Sequence, residues 1–446
     1  MFWASLGQAA SSGKLNWDLE SGKVAATLRN EPLSRVLSDI SVLTGWDVMV
    51  EPGLGGSVST RFEALPVSQA LRRILGDLNF ALLTGEDRRQ KLYIYRNSIR
   101  SATETLRSAK AGLHLKSRRI ENEIIVTLAP DSPETIEELA ERLGAEVVGK
   151  IDGLSAYRLR FKDAEDAGDA RIELTSVDYL EVSDNYEVDI PARLASLNFG
   201  AALMPRIRAN SNPGQENVVI GLVDTPVQSI GPGLSEFLLP TVSVAGKSVP
   251  PSDEPTHGTT MAETMLRGLE MVNDGSGSSN VRILPVDVYG SEPITSTFQV
   301  AAGVVAAIDS GASIVNLSLG GQETAPFLQN IIQDAHQQGA LFISAAGNEP
   351  GKHDIFPAAY PEVLAVTSSD QTGGVASYAN SGNFVDVMVP GRSFVHYNGE
   401  TYLIHGTSAS AAYVSGITAG IAATSGLPLH EVEQQVRTSL PKPPGN

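Results

Sequence analysis

The sequence contains no cysteine among its 446 residues, which excludes disulfides, zinc–thiolate sites and cysteine nucleophiles. No apolar run approaches the roughly 18 residues that a membrane-spanning helix needs. Positive charge is scarce, because 33 Lys and Arg stand against 51 Asp and Glu and the net charge is -18. This acidity argues against nucleic acid as a partner. The remaining composition is that of a globular protein with room for about two to four domains.

The N-terminal part divides into a short leader and a small unit. Residues 1–14 have an apolar start followed by small residues, as at the end of a signal peptide, although an untidy N-terminus without a targeting role is the alternative. Residues 15–97 combine strands with two amphipathic helices that are predicted to open at Pro32 and Pro66. Because this unit has no His, Asp or Glu cluster in metal-ligand spacing, we interpret it as an interaction domain.

Three segments of this unit resemble the short N-terminal domain of secretins and TonB-dependent receptors. They are Leu28-Arg-Asn-Glu-Pro-Leu33, Thr44-Gly-Trp-Asp-Val-Met-Val50 and Glu63-Ala-Leu-Pro-Val-Ser-Gln-Ala-Leu71. The resemblance implies a domain that contacts another protein of the envelope. It also implies an exported protein, periplasmic or extracellular, in a Gram-negative-type bacterium.

A linker and a second small unit follow. Residues 98–118 are polar and rich in Lys, Arg, Ser and Thr, which predicts a linker. Residues 119–189 show the β-α-β-β-α-β order of a ferredoxin-like sandwich, with Ser132 as the predicted N-cap of the first helix and 177–181 as the last strand. The segments Gly153-Leu-Ser-Ala-Tyr-Arg-Leu159 and Val177-Asp-Tyr-Leu-Glu181 are similar to the propeptides of subtilisin-like proteases. A generic small domain is the alternative, since this fold is common.

From about residue 190 the sequence becomes typical of an α/β domain. The segment 217–224 is a continuous apolar run, as expected of a parallel strand that is buried on both faces. Similar runs recur at 281–288, 312–319, 340–346 and 362–367. Helical stretches separate several of them, which indicates a mostly parallel sheet. Active sites of such sheets lie at the carboxyl ends of the strands, where Asp224 ends one strand and Asn348 follows another.

Three side chains match the needs of a serine nucleophile. Ser408 stands at the first turn of a predicted helix, His257 opens another, and Asp224 ends a strand. Each alone has an ordinary interpretation, as a helix cap, a capping histidine or a turn aspartate. A serine hydroxyl, however, needs a base, the base needs an orienting carboxylate, and the oxyanion needs donors. The order Asp, His, Ser along the chain is that of subtilisin.

Residues 190–446 resemble the subtilisin-like serine proteases. The likeness is carried by Ser313-Ile-Val-Asn-Leu-Ser-Leu-Gly-Gly321, Ala345-Ala-Gly-Asn-Glu349 and Gly406-Thr-Ser408. The sequence has no Gly-x-Ser-x-Gly motif, which argues against an α/β-hydrolase esterase. The implied fold class is α/β, with a subtilisin-like, mostly parallel sheet flanked by helices. Two small α+β domains, the ferredoxin-like propeptide and the secretin-type domain, would precede it.

The resemblance assigns roles to particular residues. It makes Ser408 the nucleophile, His257 the general base and acid, and Asp224 the group that orients the imidazole. The side-chain amide of Asn348 would form the oxyanion hole with the backbone N–H of Ser408. The implied substrate-binding residues are an edge that pairs with the peptide, Ser318, Leu319, Gly320 and Gly321, and a wall of the primary pocket, Ala345, Ala346 and Gly347. The small residues of this wall leave room for a sizeable apolar side chain.

The sequence departs from the family pattern at three places. Pro226 follows Asp224-Thr225, Thr260 stands where a second histidine is usual, and Ala412 stands where proline is usual. None of these changes removes a catalytic group. The chemistry requires no cofactor. The family often binds structural calcium, which stays open for this chain, with no ligands assigned to it from the sequence.

We therefore predict a serine endopeptidase that is made as a zymogen and acts on protein or peptide substrates. Residues 119–189 would act as its chaperone and inhibitor, and self-cleavage is expected within residues 184–197. The alternative is a catalytically silent or partner-activated protein of the same fold. Its residues 15–97 would then serve as an envelope assembly module.

Overall fold

The chain forms two compact units, Met1–His114 and Leu115–Asn446, in a computed structural model. The described residues are 14–18, 23–44, 46–51, 57–76, 78–84, 90–95, 104–106, 119–174, 177–189, 205–210, 217–229, 231–246, 254–273 and 277–444. The candidate signal segment therefore lies outside the described residues, except for its last residue, Lys14. Residues 190–197 of the expected cleavage window lie outside them as well.

The first unit is built from strands and two helices. Its elements are β1 Lys14–Asp18, β2 Lys23–Pro32, α1 Leu33–Thr44, β3 Asp47–Val50, β4 Ser57–Pro66, α2 Val67–Leu75, β5 Asn79–Thr84, β6 Gln90–Tyr95 and β7 Glu104–Leu106. They form one sheet of order β1-β2-β4 and another of order β5-β6-β3-β7. The helices begin where the two prolines predicted. Strand β7, however, falls inside the predicted linker, because pairing with Val48–Val50 of β3 overrides a polar composition.

The second unit begins with the predicted β-α-β-β-α-β order. Its elements are β8 Arg119–Leu128, α3 Ile136–Leu143, β9 Glu146–Ile151, β10 Ala156–Arg160, α4 Ala164–Leu174 and β11 Leu180–Asp189. The strands lie in the order β11-β8-β10-β9, as in a ferredoxin-like sandwich. Because of its resemblance to the propeptides of subtilisin-like proteases, we call residues 119–189 the prosegment. Its last strand is longer than predicted and reaches Asp189, a difference that matters for the active site.

The N-cap of α3 corrects one prediction. Thr135, not Ser132, accepts from the backbone N–H of Glu138, and the Glu138 carboxylate accepts from the N–H of Thr135. This reciprocal capping box fixes the helix start at Ile136. The Ser132 hydroxyl donates instead to the Glu134 carbonyl, one turn too early to cap the helix.

The rest of the second unit is a helix-flanked sheet. Its elements are β12 Arg208–Ala209, β13 Val218–Asp224, α5 Gly231–Ser235, β14 Val242–Ser243, α6 His257–Val272, β15 Ser278–Ser279, β16 Val281–Asp287, β17 Ile294–Ser296, α7 Thr297–Asp309, β18 Ile314–Leu317, α8 Pro326–Gln337, β19 Leu341–Ala345, β20 Val363–Ser369, β21 Val387–Pro390, β22 Arg392–Tyr397, β23 Glu400–His405, α9 Thr407–Ser425 and α10 Leu429–Ser439. Seven strands form a parallel sheet of order β14-β16-β13-β18-β19-β20-β21. This confirms the predicted α/β sheet.

Helices α6 and α9 touch through glycine. A methyl group on Gly268 would lie 2.1 Å from the carbonyl oxygen of Tyr413, and one on Gly416 would lie 2.0 Å from that of Met265. Both distances are far below van der Waals contact, so only glycine lets the two backbones approach this closely. The contact fixes α6, which begins at His257, against α9, which carries Ser408 in its first turn.

Candidate active site

Asp224 and His257 form a buried pair at the carboxyl end of the sheet. The His257 Nδ1 atom lies 2.8 Å from Oδ1 and 2.9 Å from Oδ2 of Asp224. The side chain of His257 is only 7% exposed, and that of Asp224 is only 2% exposed. Because an ionised carboxylate can only accept, Nδ1 carries the proton, and the other ring nitrogen, Nε2, can act as the base.

The loop after Asp224 accommodates the unusual Pro226. The Thr225 hydroxyl accepts from the N–H of Gly258 at 2.8 Å, and the Thr256 hydroxyl donates to the Pro226 carbonyl at 2.5 Å. Thr256 also caps α6 by accepting from the N–H of Thr259. The bond from the Thr256 hydroxyl uses the carbonyl of Pro226, which proline retains, so the missing N–H of Pro226 does not prevent it.

Gln228 is a further part of this arrangement that sequence reasoning missed. Its Oε1 accepts from the N–H of Thr256 at 2.8 Å and from the Thr259 hydroxyl at 2.9 Å. Its Nε2 donates to the Tyr397 hydroxyl at 2.9 Å. One buried amide thereby joins the loop after Asp224, the start of α6 and strand β22. A single glutamine in a loop gives no sequence signal for such a role, because its partners lie far apart in the chain.

Ser408 is the second residue of α9 and is 5% exposed. Its hydroxyl donates to the Ser318 carbonyl at 3.3 Å, and the Ser318 hydroxyl donates to the Ser408 carbonyl at 3.2 Å. The described residues include both His257 and Ser408, and no direct hydrogen bond joins their side chains. Donation to His257 therefore requires the Ser408 hydroxyl to leave Ser318.

Asn348 lies against the N-terminus of α9. Its Oδ1 accepts from the backbone N–H of Thr407 at 2.8 Å and from the Thr407 hydroxyl at 3.0 Å. These bonds fix the carbonyl end of the amide, which makes the NH₂ end the donor available to a ligand. A methyl group on Gly406 would lie 3.1 Å from Asn348 Nδ2, so glycine keeps this donor clear.

The prosegment enters the same region as an added strand. Strand β11 pairs antiparallel with β17, with Val188 opposite Thr295 and Asp189 opposite Ile294. Val188 is 3% exposed and lines a cavity together with Leu319, Gly320 and Gly321 of the predicted substrate edge. The structure thus adds β17 as an edge that pairs with the prosegment and that the sequence does not predict. Three residues are too short for a strand signal in the sequence.

Asn185 fixes the prosegment to the N-terminus of α7. This fully buried side chain accepts from the N–H of Phe298 at 3.1 Å and donates to Glu123 of the prosegment at 2.8 Å. Four apolar prosegment residues share a core cluster with α7 and α8, namely Ile125, Ile151, Ala156 and Val188. The prosegment and the sheet domain are therefore packed as one body.

Two negative findings concern metals and membranes. Within the described ranges, no group of three or more His, Asp or Glu side chains could hold a metal ion, so calcium is assigned no ligands. No helix of the described part of the chain is long and apolar enough to cross a membrane.

His405 should make stability depend on pH. Burial, and secondarily the charge of Arg392 opposite it, lower the pKa of His405 below its ordinary value of 6.5. The unfolded chain then binds this proton more readily, so stability is full above about pH 6.5 and falls as the pH drops toward the folded value. In a Ser408→Ala background, His405→Gln should flatten the fall in Tm between pH 7.5 and 5. The matched change at the exposed His430 should leave the slope unchanged, and equal slopes in all three proteins would contradict the assignment.

The subtilase family model matches residues 215–440, and the fervidolysin N-terminal prodomain model matches residues 115–183. The chain therefore belongs to the subtilase family. It is 31% identical over 232 residues to the "Thermophilic serine proteinase" of Bacillus sp. (strain AK1), an alignment that covers 51% of this chain and 57% of that protein. It is 30% identical over 230 residues to thermitase of Thermoactinomyces vulgaris, which covers 50% of this chain and 81% of thermitase.

Two solved structures share the fold. Fervidolysin from Fervidobacterium pennivorans superimposes with a TM-score of 0.54 at 18% identity, covering 70% of this chain and 56% of that one. The epidermin leader peptide processing serine protease from Staphylococcus aureus gives a TM-score of 0.51 at 15% identity, covering 70% and 92%. At these identities the likeness concerns the fold alone. It supports the predicted subtilisin-like α/β architecture.

Proposed function

We propose that this protein is a serine endopeptidase that is made as a self-inhibited zymogen. The observation that carries the proposal is the buried Asp224–His257 pair, in a subtilase chain whose Ser408 lies in the first turn of the helix packed against α6. In this proposal Ser408 Oγ attacks the scissile carbonyl while His257 Nε2 takes its proton. Asp224 holds the Nδ1–H and stabilises the imidazolium that forms.

The charge that develops on the attacked carbonyl oxygen needs fixed donors. The NH₂ group of Asn348 and the backbone N–H of Ser408 are proposed to supply them. His257 then gives its proton to the leaving amine, which releases the first product and leaves an acyl-enzyme on Ser408. Water, deprotonated by the same His257, attacks the ester and regenerates the serine.

The prosegment is proposed to inhibit by occupying the cleft like a product. The pairing of β11 with β17 and the burial of Val188 support this role. Residues up to Asp189 are held as a strand. We therefore propose that the cut lies beyond Asp189, within residues 190–197 of the predicted window. The covalent connection would be lost there, while the packed prosegment stays in place until it dissociates.

Residues 15–97 are proposed to bind an envelope protein, and the chain is proposed to be exported. These two proposals rest on the sequence resemblance to the short N-terminal domain of secretins and TonB-dependent receptors. The name of one relative, the "Halolysin-like extracellular serine protease Nep" of Natrialba magadii, is consistent with export.

Labelling with a fluorophosphonate tests the catalytic proposal directly. The full-length wild type, incubated until its intact mass no longer changes, is expected to gain one label, and peptide mapping should place it on Ser408. Labelling should be lost in His257→Ala, because the hydroxyl is a weak nucleophile without its base. A wild type that neither labels at Ser408 nor cuts itself would contradict the proposal and favour the catalytically silent alternative.

Asn348→Ala should lower kcat by about 10²–10³-fold, a range that comes from the equivalent asparagine of subtilisin. KM should change little, because the lost donor acts on the oxyanion and not on the ground-state carbonyl. Steady-state kinetics on one peptide substrate, with Asn348→Asp as a near-isosteric comparison, would measure both constants. A loss in kcat smaller than about tenfold would remove Asn348 from the oxyanion hole.

A further inference from the structure

Ile355 occupies an unexpected place beside the candidate active site. It is 3% exposed and precedes a residue that pairs antiparallel with the predicted substrate edge. The N–H of Phe356 donates to the Gly321 carbonyl at 2.7 Å, and the N–H of Gly321 donates to the Phe356 carbonyl at 2.9 Å. These two bonds fix the backbone next to Ile355 against residues 318–321.

The side chain of Ile355 lies between the two segments that the resemblance assigns to substrate binding. A methyl group on Gly320 would meet Ile355 Cγ2 at 3.0 Å, and one on Gly347 would meet Ile355 Cγ1 at 3.1 Å. Gly320 belongs to the edge that pairs with the peptide, and Gly347 to the wall of the primary pocket. The same isoleucine thus fills the space from one segment to the other.

Ile355 is buried between the two segments, with its Cγ2 atom toward Gly320 and its Cγ1 atom toward Gly347. A β-branched side chain has few rotamers, and close packing prevents it from collapsing into a smaller volume. A large substrate side chain would therefore need to displace a buried isoleucine.

We propose that Ile355 forms the floor of the primary pocket and restricts the residue on the acyl side of the cut to small side chains such as glycine, alanine or serine. This inference rests on the proposed endopeptidase function and adds its substrate class. It reverses the expectation that the small residues of the wall leave room for a sizeable apolar side chain. The glycines and alanines of the two segments make space for Ile355, not for the substrate.

Peptide substrates that differ only at this position test the proposal. The full-length protein, after self-cleavage has reached completion, is assayed for kcat/KM on peptides with Ala, Ser, Leu or Phe on the acyl side. Pocket size typically discriminates by about 10–200-fold per misfitting group, so the wild type should prefer Ala to Phe by at least about tenfold. Ile355→Ala should raise kcat/KM on the Phe peptide by about tenfold or more and change the Ala peptide much less.

Two further variants separate the pocket from general effects of a smaller core. Ile355→Val removes one methylene group and should move the Phe-to-Ala ratio in the same direction by a smaller factor. Ile283→Ala truncates an equally buried isoleucine of β16 and should leave the ratio unchanged.

The outcomes distinguish this inference from the proposed function. A wild type that hydrolyses the Phe peptide as well as the Ala peptide, or an unchanged ratio in Ile355→Ala, would overturn the pocket assignment and leave the endopeptidase proposal standing. Failure to hydrolyse any peptide, together with absent self-cleavage and absent fluorophosphonate labelling, would overturn the proposed function and this inference with it.

Discussion

Replacing Ser408 with alanine is expected to leave the chain uncut and to lower kcat by about 10⁶-fold, a figure that comes from the corresponding serine of subtilisin. Alanine removes the hydroxyl but keeps the small volume at the start of α9, so the fold should persist. Intact mass before and after incubation would show the difference. The wild type should yield two fragments that result from one cut within residues 190–197. The variant should keep the single mass of the uncut chain.

Ser410→Ala is the matched control for this experiment. Ser410 lies on the same helix and is equally buried, but its hydroxyl contacts Ser368 and the Val389 carbonyl instead of Ser318. It should self-cleave like the wild type, apart from any loss of stability. If purified Ser408→Ala were cut in the same window at the wild-type rate, self-processing would be ruled out. If neither the wild type nor Ser410→Ala were cut, the zymogen proposal would fail.

Asp224→Asn is expected to lower kcat by about 10⁴-fold. The amide keeps the shape of the carboxylate, but its NH₂ group can donate to His257 Nδ1. The imidazole would then hold its proton on Nε2 and could not accept one from Ser408. The charge that stabilises the imidazolium is lost as well. The kcat values of wild type and variant on one peptide, measured from pH 6 to 9, would show the effect.

Asp287→Asn provides the comparison for Asp224. The two aspartates end adjacent parallel strands in direct register and are equally buried. Asp287 accepts from the N–H groups of Tyr289 and Gly290, so its removal should change stability and alter kcat by only a few fold. Equal losses of kcat in both variants would indicate a structural role for Asp224 instead of one in the triad.

The elements that carry Asp224, His257 and Ser408 could be predicted from the sequence because each has a local signal. A continuous apolar run predicts β13, and the residues around His257 predict a helix start, which the structure confirms with His257 as the first residue of α6. The roles of these side chains remain predictions until the variants above are measured. Their mutual position depends on the glycine contacts between α6 and α9, which no local pattern reveals.

The features that the sequence did not predict depend on contacts between distant segments. Strand β17 is defined by its pairing with the prosegment, more than a hundred residues earlier. Ile355 acquires its place only when the chain brings Gly320 and Gly347 together, and nothing in its own neighbourhood indicates this. The polar residues around β7 favour a linker in the sequence. They form a strand all the same, because an edge strand can be short and polar and still pair.

The glycine contact between α6 and α9 limits how this protein could be made more heat-resistant. Exchange of a helical glycine for alanine usually stabilises a protein, because it restricts the unfolded chain and improves helix propensity. At Gly268 and Gly416 the added methyl group would press into the backbone of the partner helix and force the two helices apart. Since α6 begins at His257 and α9 holds Ser408, the cost would appear as lost alignment of base and nucleophile. These two positions, though in the middle of helices, belong to the residues that thermostability engineering should leave unchanged.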